Sequence, residues 1–178
     1  MPADVSAASL TLDQLNGLDR AAFVRTLGLV FERAPWVAEN AWPARPFGSV
    51  DALHAAMCEV VRRASRDEQR ALIAGHPDLA GKAARAGAMT ASSVAEQASA
   101  GLDRLDDAEF ERFDRLNRAY RERFGFPFVI AVRRHDKTGM LAAFERRLGH
   151  TEEQEIAEAV AQIFEIARMR IDAIVRAP

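Results

Sequence analysis

His76, Pro77, Asp78 and Leu79 stand together in the chain, and Ser93, Val94, Ala95, Glu96 and Gln97 follow after a stretch of mostly small residues. An imidazole, a carboxylate and a carboxamide are thereby brought into one neighbourhood. Imidazole changes charge near neutral pH and suits proton transfer, and the amide can read polar groups on a ligand. Pro77 disfavours the α conformation for His76, which puts the histidine at a helix break rather than along a packed face. A histidine at a helix end can also simply cap it. Ser93 and Glu96 have capping-box spacing, which explains Glu96 without chemistry; Gln97 is not explained that way.

Two further side chains stand out by position. Asn117 interrupts the apolar stripe Phe110, Phe113, Tyr120, Phe124, and a buried amide needs hydrogen-bond partners, structural or functional. In the last helix, Ile156, Val160, Ile163, Ala167, Ile171 and Ile174 define one face at 100° per residue. Arg170 projects inside that face and Arg168 toward its edge. An arginine there must meet an anion or snorkel outward. An internal Asp or Glu serves as well as a substrate carboxylate. His54, His135 and His150 read as exposed or loop histidines.

Several chemistries are excluded. His76 and Asp78 have no further His or Cys at metal-ligand spacing. There is no Walker loop, no Gly-x-Gly-x-x-Gly and no Gly-x-Ser-x-Gly. Cys58 is the sole cysteine, so an intramolecular disulfide and a cysteine zinc site are both ruled out, and a reducing compartment is expected. A net charge of −2 gives no general attraction to nucleic acid or membrane. No apolar run reaches membrane-spanning length, and the N-terminus lacks the pattern of a secretory leader. The expected location is the cytoplasm.

The elements that must position these residues are helical. The 178 residues suit one domain over 1–178, with 1–10 loose. Helices are expected from near Asp19, between Pro35 and Pro43, from a Ser49 cap to Arg63, and from a Ser65–Glu68 box to about Gly75. Later helices run from Asp106 or Asp107 to Phe124 with Gly125 beyond the end, from Thr138 to Gly149, and from a Thr151–Gln154 box to about Val175. An Ala/Gly-rich connection follows the His-Pro-Asp-Leu stretch. Phe126 to Val132 is aromatic, β-branched and bounded by Pro, hence extended; without a partner strand its backbone groups could meet a ligand. The fold class is all-α, a single-domain multi-helix bundle with one short extended segment near 126–133.

The sequence FERAPWVA at 31–38, HPDLA at 76–80, SVAEQ at 93–97, and Asn117-x-x-Tyr120 leading into FGFPFVIAVR at 124–133 together resemble the 2-oxo-4-hydroxy-4-carboxy-5-ureidoimidazoline decarboxylase family, over nearly the whole chain. These enzymes carry out the third step from urate to allantoin. The resemblance implies an all-helical enzyme without metal or cofactor, often a homodimer, with urate oxidase and hydroxyisourate hydrolase as pathway neighbours. It implies His76 as catalytic acid/base, assisted by Glu96, and Arg170 as a further catalytic residue. Pro77, Ser93, Val94, Ala95, Glu96, Gln97 and the backbone of Phe128, Val129, Ile130, Ala131 and Val132 would line the substrate. The rival readings are another ureide-processing enzyme and a non-enzymatic helical interaction module.

Overall fold

The structure is a computed structural model, and it describes residues 9–81 and 87–176. Residues 1–8, and most of the Ala/Gly-rich connection expected after Ala80, lie outside the described residues. Among the described residues there are nine α-helices and a single two-stranded pairing: the chain is all-α, as its periodicities require.

The chain divides into two compact units, one of residues 1–65 with 164–178, the other of 66–163. In the first unit, α1 (Leu12–Asn16) begins at a Thr11–Gln14 capping box and α2 (Arg20–Leu27) at Asp19. Pro35 opens α3 (Pro35–Ala41), where its missing N–H leaves no intrahelical bond unmade. Ser49 caps α4 (Val50–Arg63). Phe23, Leu27, Phe31, Leu53 and Met57 are buried, Phe23 lying edge-on to Trp42 at 5.4 Å between ring centroids. Leu10–Thr11 (β1) pairs in parallel with Val175–Arg176 (β2), a contact the sequence pattern gave no sign of.

The second unit holds α5 (Arg66–Ala74), α6 (Ala91–Ser99), α7 (Asp107–Phe124) and α8 (Lys137–Arg147). The helix α9 (Glu152–Ile174) begins in this unit and ends in the other. An Asp106–Glu109 capping box opens α7, and Gly125 closes it at φ 75°, in the left-handed region that only glycine enters without penalty. Thr151 and Gln154 form the expected box before α9. Around Tyr120 gather Phe124, Phe126, Phe128 and Phe144, with Phe128 stacked on Phe144 at 3.7 Å.

Two helix starts differ from expectation. Thr90, not Ser93, caps α6, accepting from the Ser93 N–H at 3.3 Å; Ser93 lies inside the helix and the Ser93–Glu96 box is not formed. Asp136, not Thr138, caps α8. In both cases two capping-competent residues stand close together, and the earlier one caps. The unpaired segment after Phe126 also ends sooner than expected, since Val132 begins a short 3₁₀ helix, Val132–Arg134.

Candidate active site

His76 follows the end of α5 and is buried. Its Nδ1 lies 3.0 Å from the Leu72 carbonyl. A carbonyl only accepts, so Nδ1 carries a proton and donates. The imidazole therefore does cap its helix, but with one nitrogen only. The Leu72 carbonyl thereby sets the tautomer of the neutral ring. A second proton on this ring would sit on Nε2.

The loop after His76 is held residue by residue. Gln97 Oε1 accepts from the Ala80 N–H at 2.9 Å, and Gln97 Nε2 donates to the Asp78 carbonyl at 3.1 Å. Asn117 Nδ2 donates to the Leu79 carbonyl at 2.8 Å, and Arg121 Nε donates to Asp78 Oδ1 at 2.9 Å. These bonds hold Ala80 at φ 49°, a conformation that disfavours a residue with a Cβ. Gly81 must be glycine for a related reason: a Cβ there would stand 2.8 Å from Asp78 Cβ. Asn117 is thus the buried amide that its stripe position implied. Its Oδ1 has no partner among the described residues.

The helix α6 has its polarity reversed. Ser93, Glu96 and Gln97, at i, i+3 and i+4, are buried, whereas Val94 is 45% exposed and Ala95 is exposed. A surface helix ordinarily buries its apolar stripe. With the capping box gone, a cap no longer explains why Glu96 is a carboxylate. Gln97 is fully engaged by the loop, and it lines, with Ala80, Met89, Val94, Ala98 and Phe110, an apolar cavity of about 210 Å³. Pro77 is half-buried, and Phe128, Val129, Ile130, Ala131 and Val132 are all buried. Among the described residues, no group of three His, Cys, Asp or Glu could hold a metal ion.

Arg170, in the other unit, is also buried. Its Nη1 donates to Glu32 Oε2 at 2.8 Å and to the Leu29 carbonyl at 3.2 Å. The anion that its apolar face demanded is, in this structure, Glu32. Arg168 is bound on the surface to Asp51 and to Asp172, and the Asp51 hydrogen bond foremost raises its pKa above the usual arginine value.

Sequence reasoning missed a buried charged cluster in the second unit. Arg147 and Glu155 are both fully buried. Arg147 Nε donates to Glu155 Oε1 at 2.7 Å, Tyr120 Oη donates to the same oxygen, and His150 Nδ1 lies 3.0 Å from Oε2. His150 lies in the loop between α8 and α9, as expected, but is held by Glu155; His54, expected exposed or in a loop, lies in α4, half-buried with Nε2 against the Phe164 carbonyl at 2.8 Å. Burial, reinforced by the Glu155 hydrogen bond, pushes the Tyr120 hydroxyl far above its ordinary value. The signal for Arg147 was present: Met140, Ala143, Phe144 and Arg147 repeat at i, i+3, i+4 and i+7, the same argument that singled out Arg170.

The fold and site define an all-helical protein with a preset, buried imidazole. The OHCU decarboxylase family profile matches residues 16–172, and the chain belongs to that family. It is 48% identical over 162 residues to the 2-oxo-4-hydroxy-4-carboxy-5-ureidoimidazoline decarboxylase of Haloferax volcanii, covering 91% of this chain and 94% of that one. It is 40% identical to the uric acid degradation bifunctional protein PucL of Bacillus subtilis, covering 93% of this chain and 33% of the other. The crystal structure of (S)-allantoin synthase superposes with a TM-score of 0.73 at 33% identity, covering 94% of this chain and 54% of that chain. The chain is accordingly a carboxy-lyase of urate degradation, and the interaction-module reading is set aside.

Proposed function

We propose that this chain converts 2-oxo-4-hydroxy-4-carboxy-5-ureidoimidazoline to (S)-allantoin and CO2, with His76 delivering the proton to one face. The observation that carries this is the preset imidazole: Nδ1 is committed to the Leu72 carbonyl, and the loop that follows is tied at Asp78, Leu79 and Ala80. The substrate carries a carboxylate on a carbon next to a C=N group. When the bond to the carboxylate breaks, its electron pair passes into the heterocycle, so no external electron sink is required. One proton from His76 Nε2 then completes the product. Catalysis by a placed acid is worth about 10²–10⁴ in rate.

Glu96, buried on the inward face of α6 with Ser93, works with His76 in this proposal. Pro77, Ser93, Val94, Ala95 and the 128–132 backbone line the substrate. Gln97 contributes through the loop it holds. Arg170 is carried as the guanidinium that offsets substrate charge. The protein acts in the cytoplasm as a homodimer; no described helix is long and apolar enough to cross a membrane.

The test adds the purified protein to urate, urate oxidase and hydroxyisourate hydrolase. Allantoin should form faster than without the protein and as one enantiomer. Racemic product at the background rate would refute the proposal.

A further inference from the structure

The segment from Phe126 to Ala131 has no partner strand, and two helices place its backbone instead. From α8, Arg147 Nη1 donates to the Val129 carbonyl at 2.8 Å. That guanidinium is fixed by Glu155 and lies 4.2 Å from the centre of the Phe128 ring. From α9, Gln162 Oε1 accepts from the Ala131 N–H at 3.0 Å. Gln162 is itself oriented, because its Nε2 donates to Glu158 Oε1 at 3.1 Å. The segment is thus pinned on both sides of Ile130.

Ile130 is 4% exposed, and among the described residues its N–H and C=O make no hydrogen bond. Buried backbone groups are nearly always paired, and an unpaired set calls for an explanation. One donor and one acceptor on the same residue match the edge of an amide or urea, which also offers one of each. We propose that Arg147 and Gln162 are positioning residues for the decarboxylation, holding the Ile130 backbone as the donor–acceptor pair that reads an amide edge of the substrate. This rests on the reading that residues 128–132 line the substrate.

Gln162 gives the cleaner test, because exchanging Arg147 also takes the guanidinium away from the buried Glu155 carboxylate. Gln162→Leu removes the acceptor at Ala131; Gln162→Ala replaces it if leucine lowers the folded fraction. The double exchange Glu158→Gln with Gln162→Glu reverses the orienting bond and keeps an acceptor for Ala131. Three readouts are taken: amide NMR shifts on titration with (S)-allantoin, KM and kcat in the coupled assay, and a thermal melt.

In the wild type the Ile130 and Ala131 amides should shift on titration. Gln162→Leu should raise KM about 3- to 10-fold, the worth of one hydrogen bond, with kcat within about twofold. Uniform binding lost without loss of the chemical step gives that signature. The double exchange should restore KM. If the wild-type amides shift but Gln162→Leu keeps its KM and its allantoin affinity, the clamp is overturned and the lining reading survives. If no amide in 128–132 shifts in the wild type, the lining reading fails and the clamp falls with it. A lowered melt with unchanged KM shows a structural role only and overturns the proposal.

Discussion

Gln97→Leu separates two roles for this carboxamide, holding the loop or reading the substrate. Both ends of the amide bond to loop backbone, at 2.9 Å to Ala80 and 3.1 Å to Asp78, and Gln97 is 5% exposed. Leucine fills much of the same space but leaves the buried Ala80 N–H and the half-buried Asp78 carbonyl without partners. Each orphaned group costs about 1–3 kcal/mol, the lower end applying where water can reach it, so a total of about 2–4 kcal/mol is expected. In a chain of this size each kcal/mol lowers the melting temperature by about 2–4 °C, which places the variant on the order of 5–15 °C below wild type. The assay is a thermal melt by circular dichroism, with the exposed-site variant Ser92→Ala as reference, expected within about 0.5 kcal/mol of wild type. A Gln97→Leu melt coincident with wild type would refute the loop-holding role, and a large activity loss beside it would place the amide on the substrate.

Other exchanges bear on the remaining buried groups. Asn117→Leu strands the Leu79 carbonyl and should destabilise by about 1–3 kcal/mol, read from a urea unfolding midpoint; an unchanged midpoint would dismiss the structural role. Arg170→Ala takes the guanidinium away from the buried Glu32 carboxylate and should cost about 3–5 kcal/mol, whereas Arg168→Ala removes two partly exposed pairs worth at most about 1 kcal/mol each. Activity measured on the folded fraction should fall more for Arg170→Ala, and equal small losses would remove Arg170 from the proposed chemistry. Burial pushes the Cys58 thiol up from 9.0 to about 11. The folded state therefore keeps its proton where the unfolded state has lost it, so stability present below pH 9 declines as pH rises toward 11. Melts between pH 8 and 11 should show a shallower decline for Cys58→Ala; parallel curves would contradict the shift.

What could be read from the sequence was chiefly what local chemistry decides. The starts at Asp19, Ser49, Asp106 and Thr151 and the stop at Gly125 follow from side chains that bond their own backbone within three residues. Thr90 and Ser93 are chemically alike, so spacing to Glu96 pointed to the wrong one; burial of Ser93 on the inward face decides the matter, and burial is a tertiary fact. Gln97 meets backbone 17 and 19 residues away, a pairing that no local pattern encodes. Arg147 shares one face of α8 with Met140, Ala143 and Phe144, so its burial is legible from helical spacing in the way that of Arg170 is. His76 was legible as a residue at a helix break, but the committed Nδ1 depends on where the Leu72 carbonyl points.

The central claim is that one fixed imidazole delivers one proton to one face, and product handedness tests it most directly. His76→Asn keeps a polar side chain at the helix break but exchanges no proton near neutral pH. Circular dichroism of the product is recorded at limiting enzyme, beside a thermal melt of each variant. The wild type should give a strong signal of one sign, identifying (S)-allantoin, and folded His76→Asn should give little above the uncatalysed background, with a rate lower by about 10²–10⁴. Optically pure allantoin made at near wild-type rate by a well-folded His76→Asn would show that His76 only caps its helix and that the proton comes from elsewhere.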